Sequence, residues 1–323
     1  MENDYRCIID GFITISLAYL FTIKKRKVNN HLIIQNQAEI MQGKTALITG
    51  SSRGIGLQTA LGLARMGAYV IIVSHNQEHY EKARDQIVAI AGKHSVNYYL
   101  ADLSSQEEIR KLASNIKKDY RHLDVLINNV GGWFRRFQTS SDKIEMTLAL
   151  NHLSYFLLTG LLLDLIKDNA PSRIINVSSN AHRTINGIQF KDIEFKENYK
   201  AFQIYAQSKL ANLMFTNELS KRLKGTNVTE NALHPGFVNS KLYQDFGILT
   251  PFIKLFALIF GKSSEEGAET SIYLASSSEV SDVSGKYFVD NKPERSSEAS
   301  YNQEAWKHLW ELSEDMTNFT FSV

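Results

Sequence analysis

Tyr205 and Lys209 are the two residues whose types and spacing point most directly to chemistry in this sequence. The apolar residues Leu210, Leu213 and Phe215 follow at helical spacing, which predicts a helix with the phenol and the ammonium on one face. A tyrosine with its usual pKa of about 10 is a poor acid–base catalyst at neutral pH. Because a nearby ammonium favours the phenolate, the pair predicts a tyrosine pKa lowered toward the working range. The alternative is a solvated helix face that carries both residues by chance.

The second chemical feature is a glycine-rich turn at residues 49–56, between a strand pattern at 45–48 and an amphipathic helix pattern at 57–65. Glycines let the backbone approach phosphates closely, and the free amides and dipole of a helix N-terminus attract negative charge. The order strand, turn, helix therefore predicts a dinucleotide pyrophosphate site, and the alternative is a simple tight turn. The candidate cofactor-binding residues of this turn are Gly50, Ser52, Arg53, Gly54, Ile55 and Gly56.

Composition narrows the class of protein. The chain has 323 residues, 43% of them hydrophobic and 22% charged, which suits one large globular α/β domain. The formal net charge of +2 gives no reason to expect nucleic acid as a partner. The single cysteine, Cys7, excludes an intrachain disulfide and a cysteine-based metal site, and the nine histidines show no metal-ligand spacing. No metal site is predicted.

Further motifs accompany these two features in a fixed order, and they carry a family resemblance. The sequence resembles the short-chain dehydrogenase/reductase family over about residues 42 to 290. Within that family it is most similar to the retinol-dehydrogenase-like group, both in its motifs and in the long insert at residues 180–202. The matching motifs are TGSSRGIG, Asp102-Leu103, Asn128-Asn129-Val130-Gly131, Asn151, Ser178-Ser179, YAQSK and His234-Pro235-Gly236.

The resemblance implies interconversion of a carbonyl and an alcohol, with Tyr205 exchanging a proton with the substrate oxygen. It also implies that Lys209 lowers the tyrosine pKa and holds the nicotinamide ribose, and that Ser179, rather than Ser178, donates a hydrogen bond to the oxyanion. Asn151 is implied to join a water-mediated relay to the lysine, and the alternative for it is a hydrogen-bonded core amide. Further cofactor-binding residues implied by the motifs are Asp102, Leu103, Asn129, Val130, Gly131, Pro235, Gly236, Val238 and Ser240, together with Tyr205 and Lys209.

Charge at the end of the predicted second strand favours NADP over NAD. A site that prefers NAD usually carries Asp or Glu there to bind the ribose 2′-hydroxyl, whereas this chain has Ser74, His75 and Asn76. His75 is the candidate cofactor-binding residue at this position. The guanidinium of Arg53, in the glycine-rich turn, suits a 2′-phosphate. Because His75 departs from the arginine usual in the retinol-dehydrogenase-like group, NAD stays open as the alternative.

Strand and helix patterns alternate from residue 44 onward. This alternation predicts an α/β fold with a single doubly wound parallel sheet of the Rossmann type, with helices on both faces and ligands at the carboxyl ends of the strands. We assign residues 41–323 to this NAD(P)-binding catalytic domain. Strands are predicted at residues 45–49, 69–73, 97–100, 125–128, 173–177, 227–233 and 286–289. Helices are predicted at residues 55–66, 78–91, 105–120, 142–167, 205–224, 265–275 and about 302–315.

Residues 1–40 do not fit the domain pattern and are predicted to be an N-terminal extension. Residues 7–23 are mostly apolar, with Asp10 among them, and four basic residues follow at 24–27. This run is marginal against the roughly 20 apolar residues that a membrane span needs, and its basic flank would keep the following domain on the cytosolic side. Two interpretations stay open: a membrane anchor at residues 7–27, and a disordered leader before a cytoplasmic domain.

The substrate is expected to be a lipophilic carbonyl or alcohol of the retinoid, steroid or fatty-aldehyde kind. Residues 246–260 are strongly apolar and stand where family members fold a lid over the substrate. They are interpreted either as a pocket wall or membrane-skimming helix, or as a helix packed on its own domain or at a homodimer interface. The WFRR sequence at residues 133–136 is a candidate lining of the pocket mouth, and the alternative is a simple loop after the fourth strand.

Two other classes of protein are weighed against this interpretation. A non-catalytic dinucleotide sensor of the same fold is the alternative function, but such a protein would normally have lost Tyr205 or Lys209, and this chain has both. A sugar-nucleotide epimerase would favour a TGxxGxxG turn and a larger C-terminal substrate region, and the sequence shows neither.

Overall fold

Eight strands form one sheet in the computed structural model, which describes residues 40–238 and 261–322. The strands lie in the order β3-β2-β1-β4-β5-β6-β7-β8; β1 to β7 are parallel, and β8 is antiparallel to β7. The predicted doubly wound α/β fold is confirmed, while the short β8 was not predicted. The bounds are β1 Thr45–Thr49, β2 Tyr69–Ser74, β3 Val96–Leu100, β4 Val125–Asn128, β5 Ser172–Val177, β6 Val228–His234, β7 Tyr287–Val289 and β8 Lys292–Glu294.

Helices cover both faces of this sheet. They are α1 Gly54–Arg65, α2 Gln77–Ala91, α3 Gln106–Asp119, α4 Ser154–Lys167, α5 Ala201–Arg222, α6 Ser264–Ser276 and α7 Gln303–Thr317. Successive strand residues point to opposite faces, so Leu47 of β1 is buried with α3, α4 and α5, whereas Ala46 and Ile48 are buried with α1, α2 and α6. Burial on both faces explains why the strands read as nearly continuous apolar runs.

The helix predicted at residues 142–167 begins at Met146 instead and is built from three pieces. A short α-helical turn, Met146–Leu148, leads into a π-helical turn, Ala149–Leu153, and then into α4. By length and composition Met146–Lys167 would suffice to span a membrane, but it is mostly buried inside the protein, as a core helix is. The π-helical turn is the feature that matters for the site, because such turns occur often where a side chain is aimed at a ligand.

The insert at residues 180–202 contains two 3₁₀-helical turns, Asn180–Thr184 and Phe190–Asp192, before α5 begins at Ala201. That helix starts one turn earlier than predicted because Ile204 is buried and the Phe202 ring packs edge-on against Trp133, with centroids 6.4 Å apart. The predicted anchor at residues 7–27, the apolar segment 246–260 and Ser240 lie outside the described residues.

Candidate active site

The motif residues meet at the carboxyl ends of the parallel strands. β1 pairs with β2 on one side and β4 on the other, so the connections leave in opposite directions and open a crevice there. Gly50 follows β1, Asn129 follows β4, and Pro235 follows β6 directly, while Ser179 lies two residues beyond β5. This shared edge is the position at which such folds bind ligands.

Helix α5 brings Tyr205 and Lys209 to this edge, one helical turn apart. The Lys209 side chain is buried, and its Nζ donates a hydrogen bond to the Val177 carbonyl at 3.0 Å. The same Nζ lies 5.8 Å from the centre of the Tyr205 ring. The Tyr205 phenol in turn shares a hydrogen bond with the side chain of Ser179. The phenol, the ammonium and the serine hydroxyl therefore converge at the end of β5.

The pKa values of this pair differ from the expectation drawn from their spacing. Burial raises the pKa of Tyr205 to about 12, and the hydrogen bond with Ser179 lowers it only in part. Burial lowers the pKa of Lys209 to about 7. The predicted lowering of the tyrosine pKa by the lysine was wrong for this structure. Desolvation outweighs attraction, because the ammonium is bonded to a carbonyl rather than to the phenol and itself loses its charge near neutral pH.

The two adjacent serines have different partners. Ser178 is buried, its hydroxyl donates to the Lys209 carbonyl at 2.8 Å, and its N–H donates to the Leu233 carbonyl at 2.8 Å. Ser179 is partly exposed, and its Oγ accepts a hydrogen bond from the Ala181 N–H at 3.2 Å. Ser178 thus links α5 to β6 through its two hydrogen bonds. The Ser179 hydroxyl accepts one bond through its oxygen, and its proton can still be donated next to the Tyr205 phenol.

Asn151 occupies the middle of the π-helical turn, and its amide is fully buried and bonded. Its Oδ1 accepts from the Gly132 N–H at 2.8 Å, and its Nδ2 donates to the Gly132 carbonyl at 2.9 Å and to the Ser208 Oγ at 3.0 Å. A Cβ placed on Gly131 would lie 3.4 Å from both Asn151 Oδ1 and Lys209 Nζ. Asn151 therefore lies beside the lysine and fixes the loop that follows β4.

Two residues that the sequence analysis did not select, Asn212 and His152, hold this turn in place. The Asn212 amide donates to the Asn151 carbonyl at 2.9 Å, and its Oδ1 lies 3.3 Å from His152 Nδ1. His152 Nε2 lies 3.0 Å from the hydroxyl of Ser313 on α7, and burial lowers the pKa of this histidine to about 4. Both residues stand in apolar helical runs. A polar residue at such a position must find a partner, and that was the signal available in the sequence.

The glycine-rich turn forms a cradle that is open only because its glycines have no side chains. Gly50 has a φ of +63°, and a Cβ there would lie 2.9 Å from the Val130 Cα. A Cβ on Gly56 would collide with the Gly50 carbonyl and lie 2.6 Å from Asn129 Nδ2. That Nδ2 donates to the Thr49 carbonyl at 2.8 Å, so Asn129 ties the end of β4 to the turn. The backbone here is open to close approach by a ligand.

The N-terminus of α1 faces this cradle. Arg53 is the N-cap residue in an extended conformation, and its side chain makes no capping bond to any residue that the structure describes. Arg53 and Gly54 are exposed, and Ile55 is half-buried. Ser52 accepts a hydrogen bond from the Ser74 hydroxyl at 2.9 Å, which joins the turn to the end of β2. Helix amides left without a capping side chain suit a pyrophosphate group.

The ends of β2 and β3 flank the same crevice. His75 is exposed after β2, and the Asn76 side chain caps α2 by accepting from the His79 N–H at 2.9 Å. Asp102 is exposed, and its Oδ1 accepts from the Ser104 N–H at 2.9 Å, which shapes the turn after β3. The predicted residue Leu103 is buried in the core, so only its backbone is left for a ligand.

The loop after β6 begins at the same edge of the sheet. Pro235 and Gly236 are partly exposed, and Gly236 has a φ of +87°, which favours glycine. Val238 is buried and lies beside the first turn of α1, since a Cβ on Gly267 would lie 2.6 Å from Val238 Cγ2 and 3.3 Å from Ile55 Cγ1. The loop is thereby packed against the helix that carries the glycine-rich turn.

Comparison with known proteins identifies the family. A profile of the short chain dehydrogenase family matches residues 44–247. The chain is 40% identical to Retinol dehydrogenase 14 of Homo sapiens over 293 residues, which covers 86% of this chain and 87% of the relative. It is 42% identical to Retinol dehydrogenase 13 of Homo sapiens over 275 residues, which covers 83% and 82% of the two chains.

Solved structures show the same fold. An uncharacterised protein from Mycobacterium paratuberculosis matches with a TM-score of 0.73 and 28% identity, over 90% of this chain and 98% of that chain. The Pseudomonas aeruginosa RhlG/NADP active-site complex matches with a TM-score of 0.62 and 27% identity, over 77% and 94%. The sheet, the family profile and the relatives agree: this chain is an oxidoreductase that belongs to the retinol-dehydrogenase-like group of the short-chain dehydrogenase/reductase family.

Proposed function

We propose that this protein uses NADP to interconvert a carbonyl and an alcohol on a lipophilic substrate. The observation that carries the proposal is the convergence of Tyr205, Ser179 and Lys209 at the end of β5, next to a glycine cradle that fits a dinucleotide. The nicotinamide supplies or accepts the hydride when it is bound. The residues of the chain hold the reactants and move one proton.

Tyr205 is the proposed proton donor and acceptor. Because its pKa is raised to about 12, the phenol is protonated at neutral pH and can give its proton to a carbonyl oxygen. The Ser179 hydroxyl accepts from the Ala181 N–H, so its own proton can be donated to the same oxygen as negative charge develops. In alcohol oxidation the phenol would first have to lose its proton, which becomes easier as the pH rises.

Lys209 and Asn151 are proposed to organise the site. One N–H of Lys209 is used by the Val177 carbonyl, so two donors are left for the ribose of the cofactor when the side chain is an ammonium and one when it is a neutral amine. Asn151 is proposed to fix the position of the loop after β4 relative to Lys209. Its amide makes two hydrogen bonds with the backbone of Gly132, and Gly131 lies between it and Lys209. The glycine-rich turn, Asn129 and the loop after β6 would then hold the dinucleotide.

Three observations support NADP rather than NAD. The exposed guanidinium of Arg53 stands at the open N-terminus of α1, where a 2′-phosphate could be paired. The end of β2 presents exposed His75 and no carboxylate that would favour a 2′-hydroxyl. The related RhlG structure is an NADP complex.

An aromatic wall next to the phenol supports a lipophilic substrate. The Trp133 ring lies 6.4 Å from the Tyr205 ring and 6.4 Å from the Phe202 ring, centre to centre. Aromatic side chains give a binding site large apolar contact area. The retinol dehydrogenase names of the relatives agree with an apolar alcohol or aldehyde.

The division of the chain into an extension at residues 1–40 and a catalytic domain at 41–323 is also a proposal. It is supported by Met41, which is 4% exposed and whose N–H donates to the Met66 carbonyl at 2.9 Å. A cytoplasmic location, membrane association through residues 7–27 or 246–260, and a homodimer stay predictions.

The decisive experiment replaces Tyr205 by Phe. We expect Tyr205→Phe to lower kcat by a factor of about 10² to 10⁴, while NADPH binds as in the wild type, because the phenol moves the proton and the glycine cradle is remote from it. Turnover of a panel of aldehydes and ketones with NADPH and NADH, combined with fluorescence titration of NADPH, measures both effects. The control is Tyr98→Phe, which changes an exposed tyrosine on the edge strand β3. Retention of more than a few per cent of wild-type turnover by Tyr205→Phe would show that the assignment is wrong.

A further inference from the structure

His182 lies directly behind Ser179, in the 3₁₀-helical turn that follows it. The side chain is 0% exposed, and both ring nitrogens have partners. Nδ1 lies 2.6 Å from the Ser179 carbonyl oxygen, and the backbone N–H of Ser297 donates to Nε2 at 3.1 Å. The imidazole therefore bridges the serine motif and a segment more than a hundred residues further along the chain.

These two partners select one tautomer of His182. A backbone N–H can only donate, so Nε2 must accept and carries no proton. The ring proton then resides on Nδ1 and is donated to the Ser179 carbonyl, which can only accept. Burial lowers the pKa of His182 to about 4, so the neutral ring that this arrangement needs persists across the physiological range.

The far end of the bridge is itself fixed. The Ser297 carbonyl accepts from the Ser300 N–H at 2.9 Å and from the Ser300 hydroxyl at 2.6 Å. The neighbouring Arg183 guanidinium donates to the Arg295 carbonyl at 2.6 Å, which ties the same two segments together a second time. The imidazole thus connects Ser179 to an anchored turn rather than to a free loop.

We propose that His182 is a positioning residue that fixes the backbone of Ser179 so that its hydroxyl points at the substrate oxygen. The inference rests on the role proposed above for Ser179 as the oxyanion donor. The Ser179 carbonyl is held by His182 and its Oγ by the Ala181 N–H, so the remaining freedom of the residue is the direction of its O–H. Transition-state donors must be aligned before the reaction, and a small displacement of one costs rate rather than binding.

Two substitutions separate the two halves of the bridge. Asn at position 182 can place an amide N–H near the position of Nδ1 and keep the side-chain bond to Ser179, whereas Gln reaches the position of Nε2 and keeps only the side-chain bond to Ser297. The backbone N–H of residue 182, which donates to the Ser179 carbonyl at 3.2 Å, is retained in both variants. We expect His182→Gln to lower kcat about tenfold to a hundredfold with KM and NADPH affinity unchanged, and His182→Asn to stay within about threefold of the wild type. A purely structural role would instead lower kcat and NADPH affinity together in both variants, in step with the loss of thermal stability.

A spectroscopic measurement on the wild-type protein keeps the test independent of whether a variant folds. The ¹⁵N shifts of the His182 ring should show a neutral imidazole protonated on Nδ1 from pH 8 down to pH 5. A ring protonated on Nε2, a charged ring in that range, or equal kcat for the Asn and Gln variants would overturn the proposal. Ser179→Ala separates the two levels: full activity there removes the proposed function of Ser179, whereas an inactive Ser179→Ala together with an active His182→Gln removes only the role of His182.

Discussion

Replacement of Lys209 by Met should make the cofactor-free protein more stable below neutral pH, although the variant loses activity. Lys209 is 4% exposed, and burial lowers its pKa from 10.5 to about 7. A difference of about 3.5 pKa units corresponds to roughly 5 kcal/mol between the charged and neutral forms. Below about pH 7 the folded protein holds this buried ammonium, whereas Met has similar length and no charge to desolvate.

The sign of the pH dependence follows from the direction of the shift. The pKa of Lys209 is lower in the folded chain than in the unfolded chain, so the unfolded chain binds more protons between about pH 7 and 10.5. Wild-type stability should therefore rise with pH across that window and show the full penalty below it. Loss of the donor to the Val177 carbonyl costs about 1–3 kcal/mol, so the net gain of Lys209→Met at pH 6 is about 2–4 kcal/mol.

Urea denaturation at pH 6, 8 and 10 measures this prediction. The stability difference between Lys209→Met and the wild type should shrink as the pH rises and disappear or change sign by pH 10. Lys221→Met, an exposed position near the end of the same helix, is the matched control and should show a small difference that does not follow this trend. A Lys209→Met variant that is less stable than the wild type at pH 6, or a difference that is the same at all three pH values, would refute the reasoning.

Three further substitutions or truncations test the cofactor, the substrate and the domain boundary. Arg53→Ala should raise the Kd of NADPH about tenfold to a hundredfold, because one charge-assisted contact of about 1.5–3 kcal/mol is lost, and should leave the Kd of NADH unchanged. Fluorescence titration with both cofactors measures this, and an equal loss of affinity for the two would mean that Arg53 supports the turn. Trp133→Ala should lower kcat/KM for a ten-carbon aldehyde about tenfold but not for a two-carbon aldehyde, and equal changes would argue against the aromatic wall. A chain that begins at Met41 should fold and reduce a water-soluble aldehyde, and failure to fold would remove the proposed boundary. Sedimentation of this chain and the full-length protein with membranes decides between the anchor and the leader.

The sequence predicted the sheet and the glycine cradle well, because both depend on local patterns. Apolar runs such as 45–49 and 69–73 are long enough only for strands, and turn chemistry marks where each one ends. At Gly50 the positive φ follows from placing a strand, a turn and a helix in order, whereas the approach of Val130 comes from β4, which pairs with β1. Since parallel strands share a carboxyl edge, the meeting of the motifs could be predicted without coordinates.

The π-helical turn could not be predicted in this way. An apolar helical run is compatible with an unbroken helix, and one extra residue within it leaves the hydrophobic pattern nearly unchanged. What stabilises the turn at Asn151 is remote in sequence: the amide of Asn212 bonds its carbonyl, and the backbone of Gly132 bonds its side chain twice. Such partners become visible only when the elements have been packed together.

The pKa of Tyr205 shows the same division between local and remote causes. Attraction to Lys209 can be predicted from spacing on one helix, because it depends on two residues and their separation. Desolvation depends on everything that covers the pair, including the loop with Trp133 and the end of β5 at Val177. In this site the remote cause is the larger one, and it acts on both groups. Burial raises the pKa of Tyr205 and lowers that of Lys209, so each group favours its neutral form for the same reason, unlike two residues on a solvated helix.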